Sequence, residues 1–471
     1  MKAKTVEGYE IELLPANLNG LTARLRGSVL LPGDTGYDAA RTVWNAMIDR
    51  KPAVIVRCLG AADVIAAVQF AREHNLLLCI KGGGHNIAGL AVADGALLLD
   101  MSLMRGVWVD PAQRVARAQA GCLLGDVDQE TQLHSLAAVL GFVSQTGIAG
   151  LTLGGGIGYL TRQWGWTADN LVGMDVVTAD AQLVRASCEE NPDLFWGLRG
   201  GGGNFGVVTG FDYRLYPVGP TIVGGVVAWP ASAAPGVLEL YRTLAEAAPR
   251  DLTLVAFMRP APPAPWLPKA MHGQPIVALL ACYSGDPAQG EKLVAPIKAF
   301  GKPVGDVLVR RPYVQMQSLL DATQPAGRRY YWKSEYLAEI KSALCTQVIE
   351  HAAQIQSPYS SIILFQIGGA LNELADDHSP AGNRTARYVL NITGAWERPE
   401  DDSANIAWAR QAWTAMRPFS TGGTYINFLT EDEGPERTQA ALGAGLSRLT
   451  QLKTRWDPAN VFRTNRNITP A

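Results

Sequence analysis

The amino-acid sequence predicts an α+β protein of two domains, with the second domain inserted into the first. Over the first half of the 471-residue chain, strand-like and helix-like segments alternate. From about Pro217 to about Ser420 the composition shifts to long apolar strands, and the remaining tail returns to an amphipathic helix and a loop. We therefore expect a first domain over 1–216, an inserted domain over 217–420, and a tail over 421–471 that rejoins the first domain.

The first domain reads as a series of short elements. In chain order we predict a strand at 53–58, a helix at 61–75, strands at 76–80 and 96–101, a hairpin around Asp110-Pro111, a helix at 124–142 with Asp126 as its N-cap, and strands between 174 and 187. The strand at 76–80 runs directly into the sequence KGGGHN, residues 81–86. This places a glycine run at the end of a buried strand.

The inserted domain reads as strands with few helices. The strands are predicted at 221–229, 252–259, 276–283, 361–367 and 387–396, and the helices at 233–247 and 335–353. The tail contains one predicted helix, at about 435–453, which ends before Asp457-Pro458.

Composition and charge exclude several classes of protein. Apolar residues make up 48% of the chain and charged residues 18%, so a large core is expected and disorder is not. A net charge of −2 argues against a nucleic-acid partner. No apolar stretch is long enough to span a membrane, and the N-terminus lacks the apolar core of a signal peptide, so we expect a cytoplasmic protein. The six cysteines and six histidines show no metal-ligand spacing, and we expect no metal site.

The glycine run is the first candidate site. Consecutive glycines allow neighbouring backbone N–H groups to converge on an anion, and Lys81 would add positive charge to a pyrophosphate site. The run is not a G-x-G-x-x-G that opens a helix, which disfavours a Rossmann site. Taken alone, it is also compatible with a structural turn.

Five motifs in order along the chain together resemble the berberine-bridge-enzyme-like flavoproteins of the vanillyl-alcohol-oxidase superfamily, which share the PCMH-type FAD-binding domain. They are KGGGHN at 81–86, TGIAGLTLGGGIGYLTRQWGWTADNL at 146–171, LFWGLRGGGGNFGVVT at 194–209, YINF at 425–428 and WDPANVFRTNRNI at 456–468. The resemblance covers nearly the whole chain. It implies an FAD-binding α+β domain interrupted by a substrate domain, whose antiparallel sheet is flanked by helices and faces the flavin.

The resemblance also implies which residues hold the cofactor. His85 matches the histidine that is bonded covalently to the flavin, although a solvated loop histidine or a pyrophosphate donor is the alternative. Many relatives add a cysteine link, but its position falls near Val143 and no cysteine lies between Cys122 and Cys188, so we expect a single link. The other residues expected to contact FAD are Lys81, Gly82, Gly83, Gly84, Asn86, Gly89, Thr146, Gly147, Gly150, Gly154, Gly155, Gly158, Gly206, Val208, Tyr425 and Asn465. Asp169-Asn170 is expected to brace this region.

The expected catalytic residues are Tyr425, Asn427 and Asn372. Residues two apart on a strand face the same side, so Tyr425 and Asn427 of the Y-x-N motif would address the flavin together. In relatives the tyrosine helps to remove the substrate hydroxyl proton. A phenol with a pKa near 10 needs a positive or donor neighbour for that task, and Lys333 is one candidate. The second acid/base group would come from the inserted domain, where Asn372 is favoured over Glu373.

The function expected from these residues is that of an FAD-dependent oxidase with two partners, a small organic substrate and molecular oxygen. Thr146 falls where relatives carry a residue that governs oxygen access, and a small side chain there favours oxidase activity. A dehydrogenase, a tailoring enzyme of secondary metabolism and a low-turnover flavin-binding protein are the alternatives. Seven aromatic residues of the inserted domain could stack on a substrate ring: Trp229, Trp266, Tyr313, Tyr330, Tyr331, Trp332 and Trp396.

Overall fold

A computed structural model describes residues 1–471, with 21 strands and 14 α-helices. The strands are β1 Lys2–Lys4, β2 Glu10–Glu12, β3 Ser28–Leu30, β4 Val54–Arg57, β5 Leu78–Lys81, β6 Leu97–Asp100, β7 Val107–Asp110, β8 Val115–Gln119, β9 Leu136–Ala137, β10 Leu171–Val177, β11 Leu183–Ser187, β12 Val207–Arg214, β13 Tyr216–Pro217, β14 Thr221–Pro230, β15 Leu252–Pro260, β16 Pro275–Tyr283, β17 Gly305–Asp306, β18 Val309–Pro312, β19 Arg329–Leu337, β20 Ser361–Gln366 and β21 Tyr388–Trp396. The helices are α1 Pro15–Thr22, α2 Tyr37–Arg41, α3 Ala61–Glu73, α4 Leu124–Gln132, α5 Ile148–Leu153, α6 Thr161–Trp164, α7 Pro192–Leu198, α8 Ala234–Ala247, α9 Pro287–Ala299, α10 Tyr313–Gln317, α11 Ser342–Ala352, α12 Asp402–Met416, α13 Pro435–Leu442 and α14 Leu446–Trp456.

Two sheets, of four and five strands, form most of the first part of the molecule. The sheet β3-β4-β6-β5 has parallel central strands, and the sheet β11-β10-β12-β8-β7 is antiparallel. The apolar run Val54–Val56 is completely buried, as its β-branched residues predict. Helix α3 buries the predicted stripe of Val64, Ala67, Val68 and Ala71 in the same core.

One large antiparallel sheet dominates the rest of the chain. Its strands follow the order β17-β14-β16-β15-β20-β21-β19, and β18 pairs with β14. Helices α8, α11 and α12 pack on one face and bury a second apolar core there. The other face turns towards the first part of the molecule and buries a third core with it. The predicted fold class, an α+β protein with an antiparallel sheet flanked by helices, is confirmed.

The tail packs on the first part of the molecule. Leu449, Leu452 and Phe462 belong to the same core as α3 and the small sheets. Lys453 is fully buried, pairs with Asp457 at 2.6 Å and donates to the Asn204 carbonyl. All strands of the large sheet lie between Thr221 and Trp396, and on that basis we propose 216/217 and 420/421 as the domain boundaries.

Three predicted helices were wrong in their extent. Residues 335–337 finish strand β19 by pairing with Tyr388–Leu390, so helix α11 begins only at Ser342. The helix at 124–142 ends at Gln132, because Leu136–Ala137 pairs with Tyr216–Pro217. A 3₁₀ turn at Gly443–Gly445, with Gly443 at φ +56°, divides the predicted tail helix into α13 and α14.

The start of helix α4 differs from the prediction. Asp126 is not an N-cap: the cap position of α4 is Leu123, and Asp126 accepts the Leu123 N–H from inside the first turn.

No helix of the chain combines the length and the apolar character needed to cross a lipid bilayer.

Candidate active site

A cavity of about 400 Å³ lies where the glycine-rich loops, the tail and the free face of the large sheet meet. Most of the residues predicted to contact FAD line it, together with Asn427: Gly82, Gly83, Gly84, His85, Asn86, Thr146, Gly147, Gly150, Gly154, Gly206, Val208, Tyr425 and Asn465. The five motifs, spread over almost four hundred residues of sequence, therefore converge on one cavity.

The KGGGHN loop presents unpaired donors to this cavity. None of the backbone N–H groups from Gly82 to Asn86 donates a hydrogen bond within the protein. The loop also lies against residues 146–150: a Cβ on Gly83 would come within 2.6 Å of the Gly147 Cα, and a Cβ on Gly147 would come within 2.6 Å of the Gly83 nitrogen. Neither residue can carry a side chain without separating the loops. Converging N–H groups of this kind bind phosphate oxygens.

Two glycines leave open space where a cofactor would lie. A Cβ built on Gly150 or on Gly203 would meet nothing within 4 Å, and both residues line the cavity. Asn465, whose amide donates to the Gly203 carbonyl at 3.3 Å, has its amide oxygen buried without a hydrogen-bond partner. The cavity wall contains no Asp, Glu or Lys, and its cationic side chains are Arg259 and Arg466. Unpaired donors, bare backbone and the absence of negative charge fit an elongated dinucleotide such as FAD.

Four residues predicted to contact FAD do not line the cavity. Lys81 points away: it donates to the Ala40 carbonyl and lies 3.7 Å from Asp100, and burial lowers its pKa. Gly158 packs on the Leu140 carbonyl, Gly89 packs on Ile48, and Gly155 takes φ +98° in a turn. These glycines are required by close backbone packing and turn geometry rather than by a ligand, and Lys81 supplies no charge to the pyrophosphate.

His85 occupies the cavity wall next to an aromatic neighbour. Its imidazole stacks on Trp44, with ring centroids 4.7 Å apart and planes inclined by 20°. Burial without a charged partner lowers the pKa of His85 to about 4, so the ring is neutral at physiological pH. A neutral imidazole retains the nitrogen lone pair that a covalent bond to an electrophilic carbon needs.

The position of the second link in relatives holds no thiol here. Val143 lines the cavity, and none of the six cysteines does. Four of the six, Cys58, Cys79, Cys122 and Cys282, are buried in apolar cores, where burial raises the pKa of the thiol. Such thiols are poor nucleophiles.

Tyr425 and Asn427 meet in the cavity wall. They lie at a 3₁₀ turn, Ile426–Phe428, and not on the predicted strand, but the Asn427 amide still donates to the Tyr425 hydroxyl at 2.8 Å. The same amide donates to the Leu151 carbonyl, and its oxygen faces Gly154 so closely that a Cβ there would come within 2.1 Å. Asn427 is thereby held in one orientation.

The Tyr425 phenol is buried among donors but beside no cation. Burial raises its pKa to about 12, while the Asn427 amide and the backbone N–H groups of Gly156 and Ile157 oppose that rise. The phenol is therefore protonated at neutral pH, and these three donors are placed to stabilise the phenolate oxygen when the proton leaves. Trp166 lies parallel to the phenol ring, at a centroid distance of 6.1 Å.

Two predicted participants lie elsewhere. Asn372 is exposed in a 3₁₀ turn, where its side chain accepts from Gly369 N–H and donates to the carbonyls of Arg384 and Ala386. The amide braces a loop and does not reach the cavity. Lys333 faces the helical side of the large sheet, against Asp432 and Glu433, and is not the neighbour of Tyr425. Successive side chains of a strand point to opposite faces, and the preceding residue of β19, Trp332, lines the cavity, so Lys333 faces away from it.

Asp169 and Asn170 brace the site, as predicted. Asp169 forms two hydrogen bonds with Arg384, at 2.7 and 2.9 Å, and both side chains are almost completely buried. Asp169 also accepts the Trp166 N–H, and the Asn170 amide donates to the carbonyls of Trp164 and Trp166. The pair ties the glycine-rich motif to the loop after β20 and fixes the ring beside Tyr425.

Replacement of Asp169 by Asn should destabilise the protein by about 3 kcal/mol, because it leaves the Arg384 guanidinium buried without a counter-charge. Urea unfolding of D169N at pH 7 checks this. The exposed carboxylate Glu291 forms a similar two-bond pair with Arg310, so E291Q is the matched control and should change stability by less than about 1 kcal/mol. Equal midpoints for the wild type and D169N would contradict the bracing role.

The free face of the large sheet supplies residues that, apart from Trp332, the sequence analysis did not name. Every residue of β14, β15, β16, β19, β20 and β21 that lines the cavity follows the period of two: Val226, Phe257, Arg259, Ile276, Ala278, Trp332, Ser361, Ile363, Phe365, Asn391 and Thr393. The Asn391 amide oxygen is buried without a partner. The alternation of RYVLNITGAW (387–396) contained this signal, since an Asn and a Thr two apart interrupt a buried strand on one face. Of the seven aromatic residues considered above, only Trp266 and Trp332 line the cavity.

Comparisons with known proteins agree with this site. The FAD binding domain model matches residues 52–187, and the "Berberine and berberine like" model matches residues 424–469. The chain is 31% identical to an FAD-linked oxidoreductase of Dictyostelium discoideum, over 96% of this chain and 97% of that protein. It superposes on 6-hydroxy-D-nicotine oxidase from Arthrobacter nicotinovorans with a TM-score of 0.83 and 27% identity, covering 95% of this chain and 98% of the other.

A berberine-bridge-enzyme-like protein of Physcomitrella patens has the same fold, with a TM-score of 0.86, 23% identity, and coverage of 96% and 99% of the two chains. Together with the cavity, these matches give the chemical class of the protein. The chain belongs to the berberine-bridge-enzyme-like family of FAD-linked oxidoreductases, and FAD is its cofactor.

Proposed function

We propose that this enzyme is an oxidase that carries FAD on a single covalent link to His85. Its substrate is a small organic molecule with a C–OH or C–N group, and its electron acceptor is molecular oxygen, which is reduced to hydrogen peroxide. The observation that carries the proposal is the meeting of three surfaces in one cavity: the donor-lined loop with His85, the Tyr425–Asn427 pair and the free face of the large sheet. The 27% sequence identity to 6-hydroxy-D-nicotine oxidase supports the choice of an oxidase reaction.

FAD, when bound, would supply the acceptor for a hydride from the substrate carbon and the route of two electrons to oxygen. The protein supplies the remaining steps. The N–H groups of residues 82–86 bind the pyrophosphate, His85 tethers the ring system, and Phe142, Phe257 and Phe365 exclude water from the substrate. The tether holds the cofactor in one pose and raises its reduction potential.

Tyr425 handles the substrate proton. No carboxylate and no lysine lines the cavity, so the Tyr425 phenol and the neutral His85 are its only titratable side chains apart from two arginines. His85 is committed to the cofactor in this proposal. The phenolate form of Tyr425, a small fraction at neutral pH, accepts the hydroxyl or amine proton as the hydride leaves, and the Asn427 amide with the N–H groups of Gly156 and Ile157 stabilises that phenolate before the transfer.

The alternatives use the same site with another electron acceptor. Thr146 lines the cavity with a small side chain, which leaves room for oxygen and favours the oxidase over a dehydrogenase. Anaerobic reduction of the flavin by a panel of alcohols, sugars and amines, followed by admission of air, tests this. We expect bleaching by at least one compound, rapid recovery of the yellow colour, and one hydrogen peroxide per flavin. Slow recovery in air would indicate a dehydrogenase, and no bleaching by any compound would indicate a flavin-binding protein.

A further inference from the structure

The free face of the large sheet contains a cation with no counter-charge. Arg259 lies on β15 and lines the cavity. Its Nε donates to the Pro260 carbonyl at 3.1 Å and its Nη2 reaches the Pro358 carbonyl at 3.5 Å, while its Nη1 makes no hydrogen bond within the protein. The other cavity arginine, Arg466, belongs to the tail and donates to the carbonyls of Leu429 and Thr430.

No acidic side chain of the cavity neutralises the charge of Arg259. No Asp or Glu lines the cavity, and the charged group that affects Arg259 is a second cation, Arg328, which acts with burial to lower the pKa of Arg259. Arg328 itself stacks on Tyr359 at 3.6 Å and lies 3.9 Å from Glu397, so its charge is already compensated. A partly desolvated guanidinium without an anion is costly, and a bound anion removes that cost.

The residues beside Arg259 form one polar row across the sheet. The pairing of Met258 with Ile362 brings Arg259 next to Ser361, and Ser361 pairs with Thr393. The two hydroxyl groups are 2.5 Å apart. The next residue in the row is Trp332, which pairs with Thr393 on β19. This row therefore runs from a cation, through two hydroxyl groups, to an aromatic ring.

The row leads to the reacting end of the cavity. Trp332 contacts Phe428 edge-on at a centroid distance of 5.0 Å, and Phe428 contacts Tyr425 at 4.8 Å. Three strand spacings separate the backbones of Arg259 and Trp332, which is roughly 14 Å. The adjacent row contains Phe257, Ile363 and Asn391, so an apolar surface that includes one amide group lies beside the polar row.

We propose that Arg259 binds a carboxylate of the substrate, so that the oxidised molecule is an aromatic or extended apolar acid whose charged end lies remote from the oxidised carbon. This inference rests on the proposed function and narrows its substrate class. The free Nη1 N–H groups of the guanidinium and the neighbouring Ser361 hydroxyl match a singly charged carboxylate, while the Thr393 hydroxyl donates to the Ser361 carbonyl at 2.9 Å. Phe142, Phe257, Phe365 and Trp332 contact its apolar part.

Binding of a matched pair of probes tests the proposal without turnover. Calorimetric titration of the flavin-loaded protein compares 3-phenylpropionate with its neutral isostere 3-phenylpropanamide. We expect the carboxylate to bind at least about tenfold more tightly than the amide, since hydrogen bonds to a charged partner are strong. Equal affinity for the two probes, or no binding of the carboxylate, would overturn the proposal.

Variants of Arg259 test whether this residue is the one that binds the carboxylate. R259Q should weaken binding of the carboxylate by about tenfold or more and leave binding of the amide within about twofold, and R259K should fall between R259Q and the wild type. R310Q is the matched control, because Arg310 lies on β18 outside the cavity and should bind both probes like the wild type. Unchanged carboxylate binding in R259Q would contradict the role of Arg259. If peroxide is formed from neutral substrates while R259Q binds both probes normally, the proposed function stands and this inference fails.

Discussion

Replacement of Tyr425 by Phe should lower kcat/KM by about 10² to 10⁴ while the protein still folds and retains its flavin. The phenol is the only group in the cavity that is free to accept the substrate proton, and general bases contribute this range of rate. The ring itself remains, so its contacts with Trp166 and Phe428 are kept. Steady-state oxygen consumption and the visible flavin spectrum of Y425F measure the two quantities.

The pH dependence separates proton removal from a packing effect. The Tyr425 pKa is raised to about 12, so below that pH the phenolate fraction increases about tenfold for each unit by which the pH rises. The value of kcat/KM for the wild type should therefore rise from pH 7 to pH 10 without levelling. Y425F should lose this slope. Tyr159 is a fitting control, since its hydroxyl is buried without a hydrogen bond and does not line the cavity. Y159F should keep the rate within about twofold, and a slope that persists in Y425F would contradict the assignment.

Replacement of His85 by Ala should give a protein whose flavin is released by acid precipitation, whereas the wild-type flavin stays with the pellet. The remaining contacts, above all the N–H groups of residues 82–86, still bind FAD without the covalent bond. Loss of the tether should lower the reduction potential by about 30 mV or more, which for a two-electron couple makes reduction by substrate about tenfold less favourable. Absorbance of supernatant and pellet, and a redox titration with a reference dye, measure the two effects.

An exposed histidine supplies the control for this variant. His134 lies in a surface turn outside the cavity, and H134A should retain its flavin in acid like the wild type. Flavin that remains covalently attached in H85A would place the link on another residue.

The fold was predictable where one pattern decided each segment. Strands β14, β15, β16, β20 and β21 are long apolar runs bounded by turn residues, and their predicted limits agree with the structure to within one or two residues. The errors arose where a tertiary partner overrode a local signal. Residues 335–337 have helical spacing but pair with β21, and Leu136–Ala137 continues a helical pattern but pairs with β13.

The site was predictable where backbone geometry requires a particular residue. Gly83 and Gly147 must lack side chains because their loops touch, and such glycines are conspicuous in the sequence. The sequence could not show which glycines face a ligand and which are needed for packing. Gly150 faces open space and Gly158 packs on a carbonyl, although both lie in the same glycine-rich motif. Lys81 and Asn372 were misplaced because their orientation depends on distant partners, Asp100 and the Arg384 loop. Arg259 was missed because only the folded sheet reveals that its charge is uncompensated.

The covalent attachment of FAD to one histidine beside the donor-lined loop is the central claim, and a tryptic digest of the wild-type protein tests it most directly. Cleavage after Lys81 and Arg105 releases residues 82–105, which contain His85 as their only histidine and no cysteine. We predict that mass spectrometry finds the flavin on this peptide and on no other. A yellow protein in which this peptide is unmodified, or in which a cysteine-containing peptide carries the flavin, would contradict the account.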